Sequence, residues 1–276
     1  MKWINPIYNS DGNEKWGPVA RNRPEQDGPD QTGVRPNGQG LDLNRDCIKV
    51  ESPEMAAALA NVYSTWDPQV SMDLHTTDGT RHGYDMTWAS PMTPITEPSL
   101  LAYGRDTMMG AIARDYRKSF NQEMFEYGNA VKSRDGSTRW ETFGHEGRYV
   151  TNYGGLRSRL SFLSEAATYI PFKDRILATE RYVTKTMEYV ATHAKEIMTV
   201  TARADATVIS WAKTNPELGV RYKMDHRGED TMLLEAPPGK RENRPDKLIK
   251  VKGKIFERFV STKTSTYPAG YFVPIS

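Results

Sequence analysis

Two short stretches decide how this chain is interpreted: Gly-Leu-Asp-Leu-Asn-Arg-Asp at residues 40–46, and Val-Ser-Met-Asp-Leu-His-Thr-Thr at residues 70–77. The first contains an Asn-Arg pair. The guanidinium of Arg45 can hold a carboxylate through two parallel charge-assisted hydrogen bonds, and Asn44 can add a donor beside it. The second stretch is apolar and strand-like, and it places His75 at its carboxyl end, where an imidazole can serve as a metal ligand. The sequence therefore predicts a carboxylate-binding pair followed by a metal-binding histidine.

Apolar spacing predicts alternating strands and helices up to about residue 200. Both His75 and Glu165 then fall at the carboxyl ends of strands, where the sites of α/β sheets lie. Loops or irregular segments are expected over 5–46, 76–95 and 121–155. Helices are expected at 52–66, 98–120 and 172–198, and strands at 70–74 and 160–165.

The expected fold class is α/β, with a mixed, mostly parallel sheet flanked by helices and a small C-terminal β appendage. The division predicted for the chain is an α/β domain over 1–205 and a β-rich appendage over 206–276. The appendage is expected to contain four short strands separated by turns, at Val220–Met224, Thr231–Leu234, Leu248–Val251 and Phe256–Val260.

Glu165 follows an apolar run that includes Leu160, Phe162 and Leu163. A carboxylate in such a place loses part of its hydration, which raises its pKa toward the range suited to a general base. The alternative is an ion pair with one of the nearby basic residues, Arg157, Arg159 or Lys173.

The other candidate residues also have simpler interpretations. Asn44 could cap a turn while Arg45 pairs with Asp42 or Glu54, and His75 could be a loop residue that bonds a backbone carbonyl. The functional interpretation is favoured because the Asn-Arg pair, the histidine and the glutamate follow one another in order along the chain.

Composition excludes several classes of protein. With 37% hydrophobic and 26% charged residues, the 276-residue chain has enough apolar material for a core and does not resemble a disordered protein. A net charge of +2 gives no support to a nucleic-acid partner, and no apolar run approaches a membrane span. The N-terminus lacks the apolar region of a signal peptide. Cys47, the single cysteine, has no surroundings that mark it as a nucleophile.

The order of these motifs resembles the zinc carboxypeptidase family over roughly residues 5–200. The resemblance includes Tyr residues between the histidine and the glutamate, and it rests on Asn5-Pro6, Asp11-Gly12, Arg21-Asn22-Arg23, Asp42-Leu43-Asn44-Arg45, Asp73-Leu74-His75 and Glu165. It implies a carboxypeptidase-like fold and a secreted or periplasmic location.

The resemblance also implies roles for individual residues. Asn44 and Arg45 would hold the terminal carboxylate of the substrate, His75 would be the third zinc ligand, and Glu165 would be the general base. Two further residues of the family lie in loops whose length varies, so their positions in the sequence are less fixed. The scissile carbonyl would be polarised by Arg23, with Arg21 as second choice, and the substrate would be capped by Tyr153, with Tyr149 as second choice.

The chain departs from the family at the metal site. The first two zinc ligands of the family form a His-x-x-Glu motif upstream of the Asn-Arg pair, and no histidine precedes His75. The two later matches, His193 to Glu196 and His226 to Glu229, are out of order. We therefore expect an N-terminally truncated relative whose zinc binding is weak or absent. An exposed sheet edge left by the missing strands would favour a homo-oligomer.

The function expected from the sequence is hydrolysis of a C-terminal peptide bond or an ester in a small molecule or peptide that carries a free carboxylate. One alternative is a promiscuous metal-independent esterase, and another is an amidase of the related aspartoacylase or desuccinylase group. An alternative of a different class is a catalytically dead carboxylate-binding module. Neither nucleic acid nor a membrane is expected as a partner.

Overall fold

The computed structural model describes residues 4–237, 245 and 247–273. It shows mixed β-sheets flanked by helices, and the predicted α/β class is confirmed at that level. The strands are β1 (Gly17–Pro18), β2 (Gln31–Thr32), β3 (Val70–Thr76), β4 (Met86–Ala89), β5 (Met124–Glu126), β6 (Asn129–Lys132), β7 (Thr138–Glu141), β8 (Leu160–Ala166), β9 (Glu217–Glu235) and β10 (Leu248–Thr266).

The helices alternate with the strands as far as residue 214. They are α1 (Ser10–Glu14), α2 (Val19–Asn22), α3 (Pro53–Ala58), α4 (Pro98–Ala102), α5 (Gly110–Phe120), α6 (Val150–Leu156), α7 (Phe172–Thr192) and α8 (Ala194–Thr214). A 3-10 turn covers Leu43–Arg45, and π-helical segments, Leu59–Tyr63 and Tyr103–Met109, extend α3 and join α4 to α5. In the described residues, no helix combines the length and the apolar character needed to cross a membrane.

The central sheet positions the two predicted strand ends side by side. Its strand order is β3-β8-β4-β5. Strands β3 and β8 are parallel, β8 and β4 are antiparallel, and β4 and β5 are parallel. All seven residues of β8 are buried, as expected for a strand covered on both faces. The strands predicted from the sequence at 70–74 and 160–165 are thus present, and they end at the same edge of the sheet.

Strand β3 is the outer strand of this sheet. Leu74 on β3 is 48% exposed, whereas Phe162 on the neighbouring β8 is fully buried. Within the described residues, only β8 pairs with β3. An outer strand of this kind can pair with a second chain. The expected homo-oligomer stays a prediction.

Helices α4, α5, α7 and α8 bury their apolar faces around the central sheet. The main core cluster includes Met86 of β4, Phe162 of β8, Ile112 of α5 and Tyr182 of α7. The helix predicted over 98–120 is present, as α4, a π-helical segment and α5.

The helix predicted over 172–198 divides in two. Helix α7 ends at Thr192, and α8 continues from Ala194 to Thr214. At the break, the Thr192 hydroxyl donates to the backbone carbonyl of Tyr189, and His193 Nδ1 lies 3.0 Å from the same oxygen. Side chains that bond the preceding turn in this way compete with continuation of the helix. The predicted boundary between residues 205 and 206 lies inside α8, so the β-rich part begins only at Glu217.

A second sheet joins the C-terminal strands to the middle of the chain. Its order is β6-β7-β10-β9, and β10 runs parallel to β7 with Ile255 opposite Trp140. Trp140, Ile255 and Met232 form a buried cluster between these strands. The C-terminal β-rich part therefore shares a sheet and a core with residues 129–141.

The four short C-terminal strands predicted from the sequence are two long ones. Strands β9 and β10 each have 19 residues and pair antiparallel along their length. Register shifts interrupt the pairing, and Gly228 has a φ of +131°, which a side chain would strain. Residues 226–229, expected to form a turn, lie within β9.

Segments predicted as irregular contain short elements. Strands β4 to β7 lie within the ranges 76–95 and 121–155, and helix α6 begins within the second range and ends one residue beyond it. The four residues of β4 are all buried, so the strand shows no alternation of polar and apolar residues that would reveal it. The turn between β6 and β7 contains Asp135-Gly136, a pair typical of hairpin turns. Gly136 has a φ of +83°, and the Asp135 carboxylate accepts from the Ser137 amide.

His82 is a buried neutral imidazole where the two sheets meet. It is 2% exposed and packs against the rings of Tyr84, Trp140 and Tyr169 at centroid distances of 5.5, 5.8 and 5.6 Å. Its Nδ1 accepts from the Tyr84 amide at 3.3 Å. Burial lowers the pKa of His82 to about 4.

We predict that His82 makes stability fall in mild acid. The unfolded chain, with an imidazole pKa of about 6.5, takes up the proton first, so the contribution of His82 is complete above that pH and is lost as the pH falls toward 4. The loss between pH 7 and pH 5 is about 2 kcal/mol. Urea unfolding at both pH values should show this extra loss in the wild type and not in His82→Asn, which retains an acceptor for the Tyr84 amide.

The control for this experiment is His193→Gln, which changes a half-exposed histidine at the break between α7 and α8. It should keep the pH dependence of the wild type. Equal pH dependence in the wild type and His82→Asn would contradict the prediction.

Candidate functional site

The candidate site is built on the carboxyl ends of β3 and β8. The parallel register sets His75 directly opposite Glu165. Asp73 lies two residues before His75 on the same face of β3, and its Oδ2 is 2.8 Å from His75 Nε2. Glu165 is 7% exposed, and its Oε2 has no hydrogen-bond partner within the described residues. The two sequence-predicted strand-end residues are thus neighbours.

The electrostatics of this pair favour proton transfer. Burial raises the pKa of Glu165 to about 8, although the nearby His75 acts in the opposite direction. Burial alone lowers the pKa of His75, but the charge and hydrogen bond of Asp73, helped by Glu165, outweigh it and raise the pKa to about 9. A carboxyl group with a pKa near neutrality can both take and return a proton during a reaction.

The simpler interpretation of Glu165 as a partner of Arg157 or Arg159 does not hold. Both arginines lie beyond the amino end of β8, where they pair with Asp67. No ion pair joins Glu165 to Lys173 in the part of the chain that the structure describes. The carboxylate is therefore not used by the structural ion pairs that the sequence suggested.

Arg45 lies in a half-buried position with its guanidinium on an aromatic ring. The Cζ atom of the Arg45 guanidinium is 4.6 Å from the ring centroid of Tyr149. Its Nη1 donates to the Asn44 carbonyl at 2.7 Å. The Asn44 side chain accepts from the Val150 amide at 3.4 Å, which ties the 3-10 turn to the start of α6. Arg45 also lines an open cavity of about 480 Å³ together with Asp42. Neither Asp42 nor Glu54, the partners considered from the sequence, forms an ion pair with Arg45 in the described structure.

Arg35 is a site residue that the sequence analysis did not single out. It donates to both oxygens of Asp42, at 2.9 and 3.2 Å. Its charge acts to lower the pKa of both His75 and Glu165. In the sequence, the feature that could have identified Arg35 is that it is the sole basic residue between Arg23 and Arg45.

Arg23 interacts electrostatically with Arg35 and Asp42. It follows α2 and is half-buried, and burial lowers its pKa, with the like charge of Arg35 adding to the effect. Arg35, and not Arg23, is among the charges that act most strongly on Glu165. Arg21, the second choice from the sequence, is exposed and donates to Asn22 at 3.0 Å. The role of Arg23 at the scissile carbonyl stays a prediction.

The two candidate tyrosines occupy different ends of α6. Tyr149 immediately precedes the helix and contacts Arg45. Tyr153 lies one turn on, with its ring edge-on to Tyr63 at 6.0 Å and its hydroxyl 3.5 Å from Arg157. The structure thus brings Tyr149, the second choice, against Arg45. The choice of Tyr153 as the capping residue stays a prediction.

Zinc is not accommodated by the residues that surround His75. In residues 4–237, 245 and 247–273, no three His, Cys, Asp or Glu side chains form a group that could hold a metal ion. A catalytic zinc takes three protein ligands and a water. Of the out-of-order motifs, His193 stacks on Tyr189 at 3.9 Å and His226 packs on Phe256 at 5.3 Å.

Burial disfavours a nucleophilic role for Cys47. It is buried, and burial together with the nearby Asp73 and Asp46 raises its pKa to about 12. The thiolate, which is the reactive form, is strongly disfavoured.

A comparison of the chain with known protein families, with curated proteins and with solved structures finds no match.

We predict that the purified protein carries well under one zinc per chain. The physical reason is that one imidazole without two further ligands binds zinc weakly. Elemental analysis after dialysis against a chelator provides the measurement, with His75→Ala as the matched variant. Stoichiometric zinc that survives the chelator in the wild type and is lost in His75→Ala would contradict the prediction.

Proposed function

We propose that the chain is a carboxypeptidase-like hydrolase that cleaves an ester or a C-terminal peptide bond next to a free carboxylate. The observation that supports this most is the buried carboxylate of Glu165 at the end of β8, with its Oε2 unpartnered among the described residues and His75 opposite. A buried carboxylate oxygen without a partner retains hydrogen-bonding capacity that a water molecule or a substrate group can fill.

Each side chain has a defined part in the proposed reaction. Glu165 takes a proton from a water molecule while the water oxygen forms a bond to the carbonyl carbon of the substrate. Negative charge develops on the carbonyl oxygen, and the positive charges of Arg35 and His75 stabilise it. The carbon–oxygen or carbon–nitrogen bond then breaks, and Glu165 returns the proton to the leaving group. Arg45 holds the free carboxylate of the substrate through charge-assisted hydrogen bonds.

Esters are the favoured substrates in this scheme. An alkoxide or phenoxide leaves more readily than an amide nitrogen, so an ester needs less assistance from electrophilic groups than a peptide. The same arrangement also serves an amidase that releases an acyl group from an amino acid. The metal-independent esterase and the amidase remain alternatives within the hydrolases.

A carboxylate-binding module without catalysis is the alternative of another class. It is favoured by Arg45, which is half-buried on the ring of Tyr149 and has no carboxylate partner within the described residues. Such a module needs Arg45 and has no need of Glu165. The two following predictions separate these functions.

The first change is Glu165→Gln, which retains the shape of the side chain and removes the base. Loss of a general base lowers the rate by about 10² to 10⁴. Initial rates with activated esters and with N-acylated peptides measure the effect, with circular dichroism to verify the fold. Glu180→Gln, on the exposed face of α7, is the control and should keep the wild-type rate. Unchanged turnover in Glu165→Gln would place catalysis elsewhere.

The second change is Arg45→Gln, which removes the charge that faces the substrate carboxylate. We expect KM to rise about 10-fold or more for a substrate with a free carboxylate, because a hydrogen bond to a charged group is lost. The methyl ester of the same substrate should lose little. Arg148→Gln is the matched control, since Arg148 lies 5.2 Å from the same ring of Tyr149 but is exposed. An equal loss for both substrates would show that Arg45 has only a structural role.

A further inference from the structure

The outer edge of β3 carries backbone groups that β8 does not use. The amide of Thr77, which directly follows β3, donates to the Ala166 carbonyl at 2.8 Å. Backbone groups of successive residues point alternately to the two sides of a strand, so the odd-numbered residues of β3 bond β8 and the even-numbered ones face outward. Within the described residues, no strand pairs with β3 on that side. The N–H and C=O groups of Met72 and Leu74 are therefore available to another strand.

Helices cover both faces of β3 and leave its edge open. On one face, Val70 and Met72 pack against the main core cluster, to which α7 contributes. On the other face, the Ser71 hydroxyl donates to Ser161 at 3.0 Å beneath α6, whose Gly154 lies too close to Ser161 to carry a side chain. A strand that is covered on its faces and open at its edge offers its backbone to a further strand.

Exposed apolar side chains continue from this edge onto the start of α7. Gln26 joins the two elements, because it donates to the Thr76 hydroxyl at 3.2 Å and accepts from Arg175 at 3.2 Å. Three large apolar side chains of β3 and α7 near this junction are 48, 48 and 52% exposed, namely Leu74, Phe172 and Ile176. Apolar surface of this kind beside an open strand edge is typical of an interaction site.

The charged residues of β3 restrict how a further strand can pair with it. Asp73 and His75 flank Leu74 and share the face that α6 covers. Charged side chains on an outer strand usually oppose pairing. These two have opposite signs at neutral pH, because Asp73 raises the pKa of His75 to about 9 and so keeps the imidazole protonated. They therefore exclude some registers and favour another.

Among the antiparallel registers centred on residues 72 to 75, one pairs these charges between two copies of β3. Centring the pairing on Asp73 or on His75 sets each of these side chains opposite its own copy. Centring it on Met72 sets Asp73 opposite the uncharged Ser71. Centring it on Leu74 sets His75 opposite the partner subunit's Asp73, and opposite charges in that position stabilise a sheet.

We infer that β3 pairs antiparallel with β3 of a second copy of this chain, about a two-fold axis at Leu74, so that the partner subunit's Asp73 stands opposite His75. Leu74 exchanges backbone hydrogen bonds with its own copy, and Met72 exchanges them with the partner subunit's Thr76. The two central sheets become one continuous sheet, and assembly closes at a dimer because each copy uses its one open edge of β3. Each candidate site then includes a carboxylate from the other copy.

Cross-linking tests the position of the axis. In a Cys47→Ser background, which removes the sole cysteine, Leu74→Cys places two thiols at a hydrogen-bonded pair. The Cα atoms of such a pair are about 5.5 Å apart, within reach of a disulfide. Oxidation by oxygen with copper phenanthroline should convert most of the protein to a covalent dimer on a non-reducing gel.

The matched control is Thr76→Cys in the same background. Thr76 is exposed on the same face of the same strand, but the register sets it about 14 Å from its own copy. It should stay largely monomeric under the same oxidation. Equal cross-linking of the two variants, or none in Leu74→Cys, would overturn the inferred register.

Sedimentation equilibrium tests the pairing without a covalent bond. The wild type should be a dimer at micromolar concentration, and Leu74→Lys should be a monomer there, because two like charges would meet at the axis. Ile209→Lys is the control, since Ile209 on α8 is 73% exposed and lies on a helix outside the inferred interface. It should remain a dimer. A monomeric wild type, or a dimeric Leu74→Lys with an intact fold by circular dichroism, contradicts the inference.

The charge pair is tested by two substitutions at His75. His75→Lys retains a positive charge opposite the partner subunit's Asp73 and should keep the dimer. His75→Asp sets like charges opposite each other at two symmetric positions and should raise the dimer Kd about 10-fold or more. His75→Gln, which is neutral and should give an intermediate Kd, serves if His75→Asp does not fold. Equal dimer Kd values in the charged and uncharged variants would overturn the pairing of Asp73 with His75. None of these measurements uses turnover, so their result is independent of the hydrolase proposal.

Discussion

The pairing of β3 with β8 is the constraint on which the site depends. Because the two strands are parallel and in register, His75 and Glu165 meet at the same edge of the sheet. Burial of the whole of β8 then leaves the Glu165 carboxylate only partly hydrated, which raises its pKa. A one-residue slip of either strand would point one of the two side chains to the opposite face, so the hydrophobic packing of the sheet also maintains the chemistry.

The loops around this edge supply charge. Arg35, Asp42 and Arg45 come from the segment before β3, and Tyr149 comes from the start of α6. The charge of Arg35 acts on Glu165, whose pKa is raised by burial, and on His75, whose pKa is raised by Asp73. The candidate site therefore combines a buried carboxyl group of raised pKa, Glu165, with the guanidinium groups of Arg35 and Arg45. That combination is the basis of the proposed hydrolysis.

Sequence reasoning located the strand ends because burial is visible in the sequence. The apolar residues before His75 and Glu165 identify two buried strands, and the parallel pairing follows from the α/β pattern. Sequence patterns did not identify Arg35 or the contact between Tyr149 and Arg45, because both depend on the path of irregular loops. No periodic pattern records that path. The long C-terminal hairpin was divided into short strands because Gly228 and its charged neighbours are typical of a turn, whereas pairing with β10 retains them in β9.

The most direct test of the account is the titration of the Glu165 carboxyl group, followed by NMR in protein labelled with ¹³C at the glutamate side-chain carboxyl. Glu165→Gln assigns the signal by its absence. The account predicts that one glutamate titrates with a pKa of about 8 and that this signal is lost in the variant. If every glutamate titrates in the ordinary acidic range, Glu165 is solvated or tightly paired. The buried general base at the centre of the account would then be wrong.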